Sequence, residues 1–497
     1  MRYWLGLFFG FICYVSVHAQ GESVGTTVSN YAGVNAVLLN PSAMHNQNTW
    51  LSFNFLSGNV FLHTDFAYMD KNEFNLRDVF SPNYIWPSHA TGYGVEERPF
   101  YSFDSKRNTS FDQSARIMGP SLMLVYNQHA IALTTAVRTE TNIRNLTPDL
   151  ANVLAYGFSY YPQYLKPYQI DDFNGTNLTW AEIGLSYAFR LDKASFDGWS
   201  FGISIKRLLG SAGGYLQVDQ STYTLLDSQT LEVANQSAEL GLSAPINFDT
   251  NEFKPNDLLT GRGWAFDIGF TYQASLHRQP NLNAAKFCEQ PLNDYKYRIG
   301  VALLDVGSIR FAQNAQTHDF TNSTQVQGNM DGVSLDNINQ VLQQISTEFY
   351  GSPTASFVSN DVKVKLPMAL SVQYDYNTEW KYVFWNASLI YGIPLKGGAL
   401  RRPSQLVVAP RYETRMLTFG VPLSWYQFRY PHVGLFARYG PLSVGTEWIT
   451  SLLGVNNFNG LDIYFSIKFQ LAKDNCRARR NYRTACSPKS RRFRWGF

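Results

Sequence analysis

After its first two dozen residues the chain has no long apolar run, and its mean hydropathy is −0.22. No stretch reaches the ~18 consecutive apolar residues that a membrane-crossing helix needs, which excludes a helical membrane protein. Charge is scarce too, at 16% of residues where ~25% is usual in a soluble domain. There are only 4 cysteines and 8 histidines. They are scattered, with no CxxC pair, so no metal site is expected. The sequence also lacks H-E-x-x-H, a phosphate-binding G-x-x-x-x-G-K-[ST], a dinucleotide G-x-G-x-x-G between a strand and a helix, and Asp-rich calcium loops. Gly21-Glu22-Ser23-Val24-Gly25 matches G-x-S-x-G literally, but no strand precedes it and the match is read as coincidence. The paired carboxylates Glu96-Glu97 and Asp171-Asp172 read as solvated loop residues rather than an acid/base couple. Catalytic residues, metal ligands and cofactors are therefore all expected to be absent, and the chain is not expected to be an enzyme.

Aromatic residues, in contrast, are abundant at 15%, with 30 Tyr, 35 Phe and 11 Trp. Low charge, many aromatics and no long apolar run suit a transmembrane barrel, whose strands turn half their residues to a polar lumen. A secreted sandwich or propeller shares part of that composition, so strand patterning has to decide. Period-2 alternation recurs from about Trp50 to Leu471. Its clearest instance sets Leu461, Ile463, Phe465, Ile467, Phe469 and Leu471 against Asp462, Tyr464, Ser466, Lys468 and Gln470. One face is oily and the other wet, over the eleven residues that a tilted strand needs to cross a bilayer.

The same rhythm runs through Ile183, Leu185, Tyr187 and Phe189, through Phe201, Ile203 and Ile205, and through Phe266, Ile268, Phe270 and Tyr272. It returns at Val383, Trp385, Ala387 and Leu389, and at Val433, Leu435, Ala437 and Tyr439. Small residues on the opposite face leave a lumen able to hold a plug or a narrow path. Trp180, Trp199, Trp264, Trp380, Trp425 and Trp448 sit near strand ends, where interfacial girdles lie. The fold expected is all-β, an antiparallel up-and-down transmembrane barrel of about fourteen strands with a few short loop helices. Residues 70–115 and 141–176, rich in Tyr, Pro, Asn and Asp, read as long outer loops. Residues 331–349 read as an amphipathic helix capped by Ser334, with Leu335, Ile338, Val341, Leu342 and Ile345 on one face, packing on the barrel or on a partner.

Both ends differ from the middle. Residues 1–19 read as a signal peptide: Arg2, an apolar run from Trp4 to Val17, and Val17-His18-Ala19 before a first mature residue Gln20. A lipoprotein signal on Cys13 is the alternative, but Ile12 is bulky for the position before its cysteine. Residues 20–48 then form an N-terminal segment, 49–472 the barrel and 473–497 a basic tail. From Lys473 to Phe497 nine basic residues face one acid, a net +8, which leaves −5 on residues 1–472 of a chain at +3. Export makes nucleic acid an unsuitable partner despite Arg491, Arg492 and Arg494 beside Phe493 and Trp495. A periplasmic tail would face peptidoglycan, anionic headgroups or a periplasmic protein, or stay unstructured. Cys476 and Cys486 are a candidate disulfide within it, which leaves Cys288 as an unpaired thiol.

Several segments, taken in order, resemble a family of Bacteroidota outer-membrane proteins of unassigned role, distantly similar to FadL-type channels and to PorV of the type IX secretion system. They are Tyr31-Ala32-Gly33 with Leu39-Asn40-Pro41-Ser42-Ala43, then Gly119-Pro120-Ser121 with His129-Ala130-Ile131. Gly261-Arg262-Gly263-Trp264, Asp267-Ile268-Gly269 and Asp305-Val306-Gly307-Ser308-Ile309 follow. Gly440-Pro441-Leu442, Val444-Gly445-Thr446 and Asp462-Ile463-Tyr464 close the series. The resemblance implies a hatch of residues 20–48 folded into the lumen, with Asn40, Pro41 and Ser42 at its centre. Ser42 replaces the family's usual Ala, and the basic tail follows what is normally the terminal strand. Two functions remain open: a FadL-like outer-membrane channel for small hydrophobic molecules, or a PorV-like structural or secretion-associated barrel. The second would bind protein partners through long loops and the basic periplasmic tail. Either would sit in the lipid of a Gram-negative, Bacteroidota-like outer membrane.

Overall fold

The computed structural model describes residues 23–474, except 75, 77–83, 85, 89–98, 104, 159, 193–196, 277–283, 322–325, 330–336 and 381. The expected leader, with Gln20, and the tail from residue 475, with Cys476 and Cys486, lie outside the described residues.

Fourteen strands follow one another up and down. The first seven are β1 (Thr49–Thr64), β2 (Thr109–Met118 and Ser121–Tyr126), β3 (His129–Leu146), β4 (Pro167–Asp192), β5 (Asp197–Leu225), β6 (Thr230–Ser243 and Gly261–Ala274) and β7 (Tyr297–Phe311, Ala315–Asp319 and Val326–Asn329). The others are β8 (Phe357–Ser359, Val362–Lys365 and Ala369–Asn377), β9 (Val383–Gly392), β10 (Gln405–Glu413), β11 (Leu417–Gly420 and Leu423–Tyr426), β12 (Tyr430–Val433 and Leu435–Tyr439), β13 (Leu442–Thr446) and β14 (Gly460–Ala472). Each pairs antiparallel with its neighbours, and β14 pairs with β1 from Thr49↔Ala472 to His63↔Gly460. The sheet has no open edge. This is a closed fourteen-strand barrel.

Why the barrel belongs in a bilayer is visible on its two faces. On β4, Ile183, Leu185 and Tyr187 are exposed while Glu182, Ser186 and Ala188 are buried. On β14, Phe465, Phe469 and Leu471 are exposed, Leu461, Ile463 and Ile467 half-buried, and Asp462, Tyr464, Ser466 and Lys468 buried. The wet face therefore points inward and the oily face outward, the reverse of a soluble sandwich. Among the described residues no helix is long and apolar enough to span a membrane; the strands do the crossing. At the end with the short turns, Trp199, Tyr272, Tyr297 and Tyr374 form a row of rings across β5 to β8, with successive centroids 4.7, 6.1 and 6.3 Å apart. Near the other end Arg207 covers the exposed ring of Trp264 at 4.9 Å. These rings bound the apolar belt as an interfacial girdle.

Two of the six expected girdle tryptophans are elsewhere. Trp180 and Trp448 are buried inside the barrel, and the reason is parity: Trp180 shares its face with Glu182, Gly184 and Ser186. The expected loops also need correction. Strand occupies 109–115 and 141–146 and resumes at Pro167. A strand needs only about ten residues to cross, whereas β4 has 26 and β5 has 29. Beyond the bilayer both faces of a strand can be polar, and the apolar alternation that marks a strand in sequence disappears.

The outer parts of these strands build a lobe with a core of its own, including Ile143, Leu146, Ile170, Phe173, Val218, Tyr223, Leu225 and Phe320. Helix α1 (Pro148–Tyr156) packs on it through Ala151 and Val153. Helix α2 (Ile338–Tyr350) packs through Ile345, Phe349 and Tyr350. The cap of α2 is Asn337, whose side chain accepts from the Gln340 amide at 2.8 Å; Ser334 and Leu335 lie outside the described residues. Cys288 is in a disulfide, which corrects its reading as an unpaired thiol.

Arginine on the lipid face should cost most halfway between the girdles. Ile268→Arg should destabilise the barrel by about 2–4 kcal/mol and the same change at Trp264 by about 1 kcal/mol or less, read by reversible denaturant unfolding in liposomes. Equal costs at the two positions would contradict the membrane placement.

Candidate functional site: the hatch and the charged lumen

The segment 23–48 runs inside the barrel and is almost wholly buried. It is built from a turn of helix (Val24–Thr27) and two 3-10 helices, Gly33–Leu38 and Pro41–Asn46. Asn40 joins the last two, and its extended backbone suits the residue before a proline. Its side-chain oxygen accepts from the Ser42 amide at 3.0 Å and from Ser42 Oγ at 2.6 Å. Its Nδ2 donates to the Phe270 carbonyl at 3.2 Å and to Thr271 Oγ1 at 3.4 Å. Ser42 Oγ also meets Thr271 Oγ1 at 2.7 Å. Both lone-pair directions and both N–H groups of the buried amide are thus used.

What admits this segment so close to the wall is a patch without side chains. Gly202 and Gly269 face each other across the β5–β6 ladder, and Gly300 lies opposite Thr271 on β7. A Cβ at Gly269 would run into Asn40 and Pro41, one at Gly202 into the backbone of Pro41 and Ser42, and one at Gly300 would sit 2.9 Å from Asn40 Nδ2. Asn40, Pro41 and Ser42, singled out from sequence, are therefore brought together in a three-glycine socket. The alternating small residues of these strands are the other half of that contact.

Further polar contacts hold the rest of the segment. Lys468 Nζ and Gln470 Nε2 on β14 donate to the carbonyls of Ala32 and Tyr31 at 2.9 and 3.0 Å. Gln373 Nε2 on β8 donates to the Leu39 carbonyl at 3.1 Å. The Asn30 amide donates to both oxygens of Glu413 at 3.2 Å, and Arg298 donates to Asn30 Oδ1 and, at 3.1 Å, to the Asn46 carbonyl. Ser23 Oγ accepts from Asn59 Nδ2 at 3.1 Å, an amide contact in place of the base that a nucleophilic serine needs.

The rest of the lumen is lined, among the described residues, by paired charges rather than by the small residues expected of it. One layer centres on Asp305, which receives Arg138 at 3.1 Å, Lys206 at 2.7 Å and Arg402 at 3.7 Å. Arg138 also pairs with Glu140 at 2.7 Å and Glu182 at 3.4 Å, and Lys206 with Asp267 at 2.7 Å. A bulge at Phe266/Ile268 and a left-handed Asp305 (φ +54°) let Asp267 and Asp305 point inward together. The Asp305 amide donates to Asp267 Oδ1 at 2.7 Å. Trp180 belongs to this layer, donating its indole N–H to Glu182 at 3.1 Å and lying under Arg138 at 4.6 Å.

A second layer, toward the short-turn end, joins Arg411 to Asp375 at 2.7 Å and to Glu413 at 3.1 Å, with Arg298 on Asp375 at 3.3 Å. Tyr295 OH donates to Asp375 at 2.6 Å. Among the described residues the two layers set six cations (Arg116, Arg138, Lys206, Arg298, Arg402, Arg411) against six acids (Glu140, Glu182, Asp267, Asp305, Asp375, Glu413). The space beside the hatch, near Leu39, Gln373 and Asp375, has a volume of 30 Å³, water-sized. A pocket of 200 Å³ lies at the outer end between Phe66, Phe103, Asn152 and Tyr160. No group of three or more metal-ligating side chains occurs among the described residues. Sequence reading reached Asp267 and Asp305 only as parts of family-like segments and missed Arg138, Glu140, Glu182, Arg402 and Arg411. Their signal is a charge on the inward parity of an otherwise alternating strand.

Residues 41–447 match a family described as a family of unknown function (DUF5723). The chain belongs to that family. No curated protein matches it. Among solved structures it is similar to a deltaS2 mutant of the TodX monoaromatic hydrocarbon channel, at 8% identity over 89% of this chain and 95% of that one, with a TM-score of 0.41. A FadL homologue of Pseudomonas aeruginosa gives 11% identity over 91% and 99%, with a TM-score of 0.39. The CymD monoaromatic hydrocarbon channel gives 8% over 92% and 99%, with a TM-score of 0.31. Likeness at this level adds nothing to what the barrel itself displays.

Two substitutions separate the socket from the charges. Gly269→Val should push Asn40 out of its socket and raise hydrogen exchange of the 33–46 amides with the barrel intact; unchanged protection would mean that the socket does not hold the hatch. Asp305→Ala leaves Arg138, Lys206 and Arg402 short of an anion, a loss of about 3–5 kcal/mol for a buried pair broken on one side. A loss below 1 kcal/mol in the same unfolding assay would show the layer to be hydrated.

Proposed function

We propose that this member of the family is an outer-membrane barrel with a filled lumen, working at its two rims as a structural or secretion-associated subunit that binds protein partners. The observation carrying this reading is the lumen itself. A hydrophobic solute crossing it would have to part ion pairs that are already out of water, and a separated buried charge costs several kcal/mol. The outer lobe, with a core of its own, supplies a folded surface beyond the bilayer, and the resemblance to PorV-type barrels read from sequence points to the same class. The basic tail is the candidate contact with a periplasmic partner.

A channel for small hydrophobic molecules is the second reading. It is favoured by the hatch being a separate segment seated on glycines through hydrogen bonds, a design that can open if the segment withdraws. Neither reading assigns catalysis to the chain.

Reconstitution distinguishes the two. Protein in planar bilayers should show no steady conductance, liposomes carrying it should take up a monoaromatic probe no faster than protein-free ones, and removal of residues 23–48 should raise conductance. Crosslinking in intact outer membranes should recover a stoichiometric protein partner. Probe uptake by the complete protein, lost in a variant with the hatch fixed to the wall, would overturn the filled-lumen reading, as would a clean monomer from crosslinked membranes.

A further inference from the structure

On the outward face, charge replaces apolar side chains across β6, β7 and β8. Arg262, Arg310 and Lys363 are exposed there and stand directly opposite one another, Arg262↔Arg310 and Arg310↔Lys363. Sideways the same row continues onto β5, β4 and β3 as Leu209, Ala181 and Val137, so the charge begins abruptly. One step closer to the middle of the barrel the next row reads Arg207, Trp264, Ser308 and Lys365. One step further the exposed side chains are Ile205 and Phe266. The cations therefore lie at the edge of the apolar belt.

Like charges directly opposite on neighbouring strands repel, and the sheet is destabilised by them. Little inside the protein offsets that repulsion. Arg310 gives its Nε to Asp361 at 2.9 Å. Arg207 donates to the Gly263 carbonyl at 3.3 Å and covers Trp264, and Lys365 Nζ donates to the Lys396 carbonyl. Among the described residues neither Arg262 nor Lys363 has an ion pair. Strands lie about 4.8 Å apart, so the three cations span roughly 10 Å. Ser308, the smallest side chain of the two rows, forms a floor below Arg310 between Trp264 and Lys365.

The level of this array decides what can lie against it. Trp264 marks the interface between hydrocarbon and headgroups, and Leu258 and Leu259, just ahead of Arg262, are exposed beside it. An occupant must carry negative charge in the headgroup layer and apolar substance below it, over Ile205 and Phe266. A phosphorylated lipid has both, and an arginine fork matches two phosphate oxygens at once. Short turns mark the periplasmic end of a barrel and long extensions the outer one, so the array faces the outer leaflet, whose lipid in a Gram-negative outer membrane is a phosphorylated glycolipid.

We propose that Arg262, Arg310 and Lys363 bind the phosphate groups of an outer-leaflet glycolipid, with Trp264 and Arg207 flanking its headgroup and Ile205 and Phe266 against its acyl chains. The bound phosphates supply the negative charge that the three strands lack. The site rests on the outer-membrane placement proposed above and is independent of whether the lumen conducts.

Flotation of the full-length protein with phosphatidylcholine liposomes, and its heat-modifiable gel migration, test the placement by themselves. Failure to insert would remove the placement and the site with it; insertion without lipid binding would remove the site alone. Native mass spectrometry of the full-length protein in mild detergent should show bisphosphorylated lipid A retained in preference to its dephosphorylated form. The combined change Arg262→Gln, Arg310→Gln and Lys363→Gln should weaken retention about a hundredfold, at about fivefold per cation near a charged membrane surface. Lys106→Gln, in an exposed loop outside the array, should leave it unchanged. Equal retention of the two lipids, or equal retention by the triple variant, would overturn the site. Release of the lipid by millimolar inorganic phosphate would assign the array to a free anion, and a photo-crosslinker at Ser308 that captured a protein in intact outer membranes would assign it to a partner; either result overturns the glycolipid.

Discussion

Within hydrocarbon every backbone N–H and C=O must find a partner in the protein itself, and the β1–β14 ladder meets that demand by leaving no strand edge. The other features follow from closing the sheet. Once it is closed, side chains alternate between lipid and interior, and the outward half is oily because lipid solvates it. The inward half has no such solvent, so it must be filled from within the protein. The hatch and the charged layers do that filling.

The interior combines two kinds of fit. On the wall formed by β5 to β7, three glycines remove side-chain volume so that Asn40, Pro41 and Ser42 can lie against backbone. Elsewhere the wall carries Arg, Lys, Asp and Glu whose charges nearly cancel within each layer. Buried ion pairs add little net stability because desolvation offsets their attraction. Their effect here is to fix positions: Asp305 is ion-paired with cations on β3, β5 and the β9–β10 loop, so those elements are registered against one another. Asn30 links the lower layer to the hatch through Glu413 and Arg298.

Much of the wall could be read from sequence because lipid imposes a simple rule, an oily residue at every second position. That rule gives the outward faces of β4, β5, β6 and β14 and a count of fourteen strands. It gives nothing where lipid ends, which is why residues 109–115, 141–146 and 167–176 read as loop although they are strand. Taking six tryptophans near strand ends as membrane anchors misplaced Trp180 and Trp448, although the parity of Glu182 marks Trp180 as inward. The Asn40-Pro41-Ser42 segment was legible as a motif, but its socket was not. Gly202, Gly269 and Gly300 lie on three strands that only the register brings together. Cys288 was misread as unpaired because a disulfide depends on proximity in space, which spacing along the chain does not encode.

The hatch precedes β1 in the chain, yet its carbonyls at Tyr31 and Ala32 are held by Gln470 and Lys468 of the final strand. Through the Val34 amide it is also held by Ser52 of the first strand. The plug thus bridges the seam where the cask is hooped, so seating it and closing the β1–β14 ladder stabilise one another.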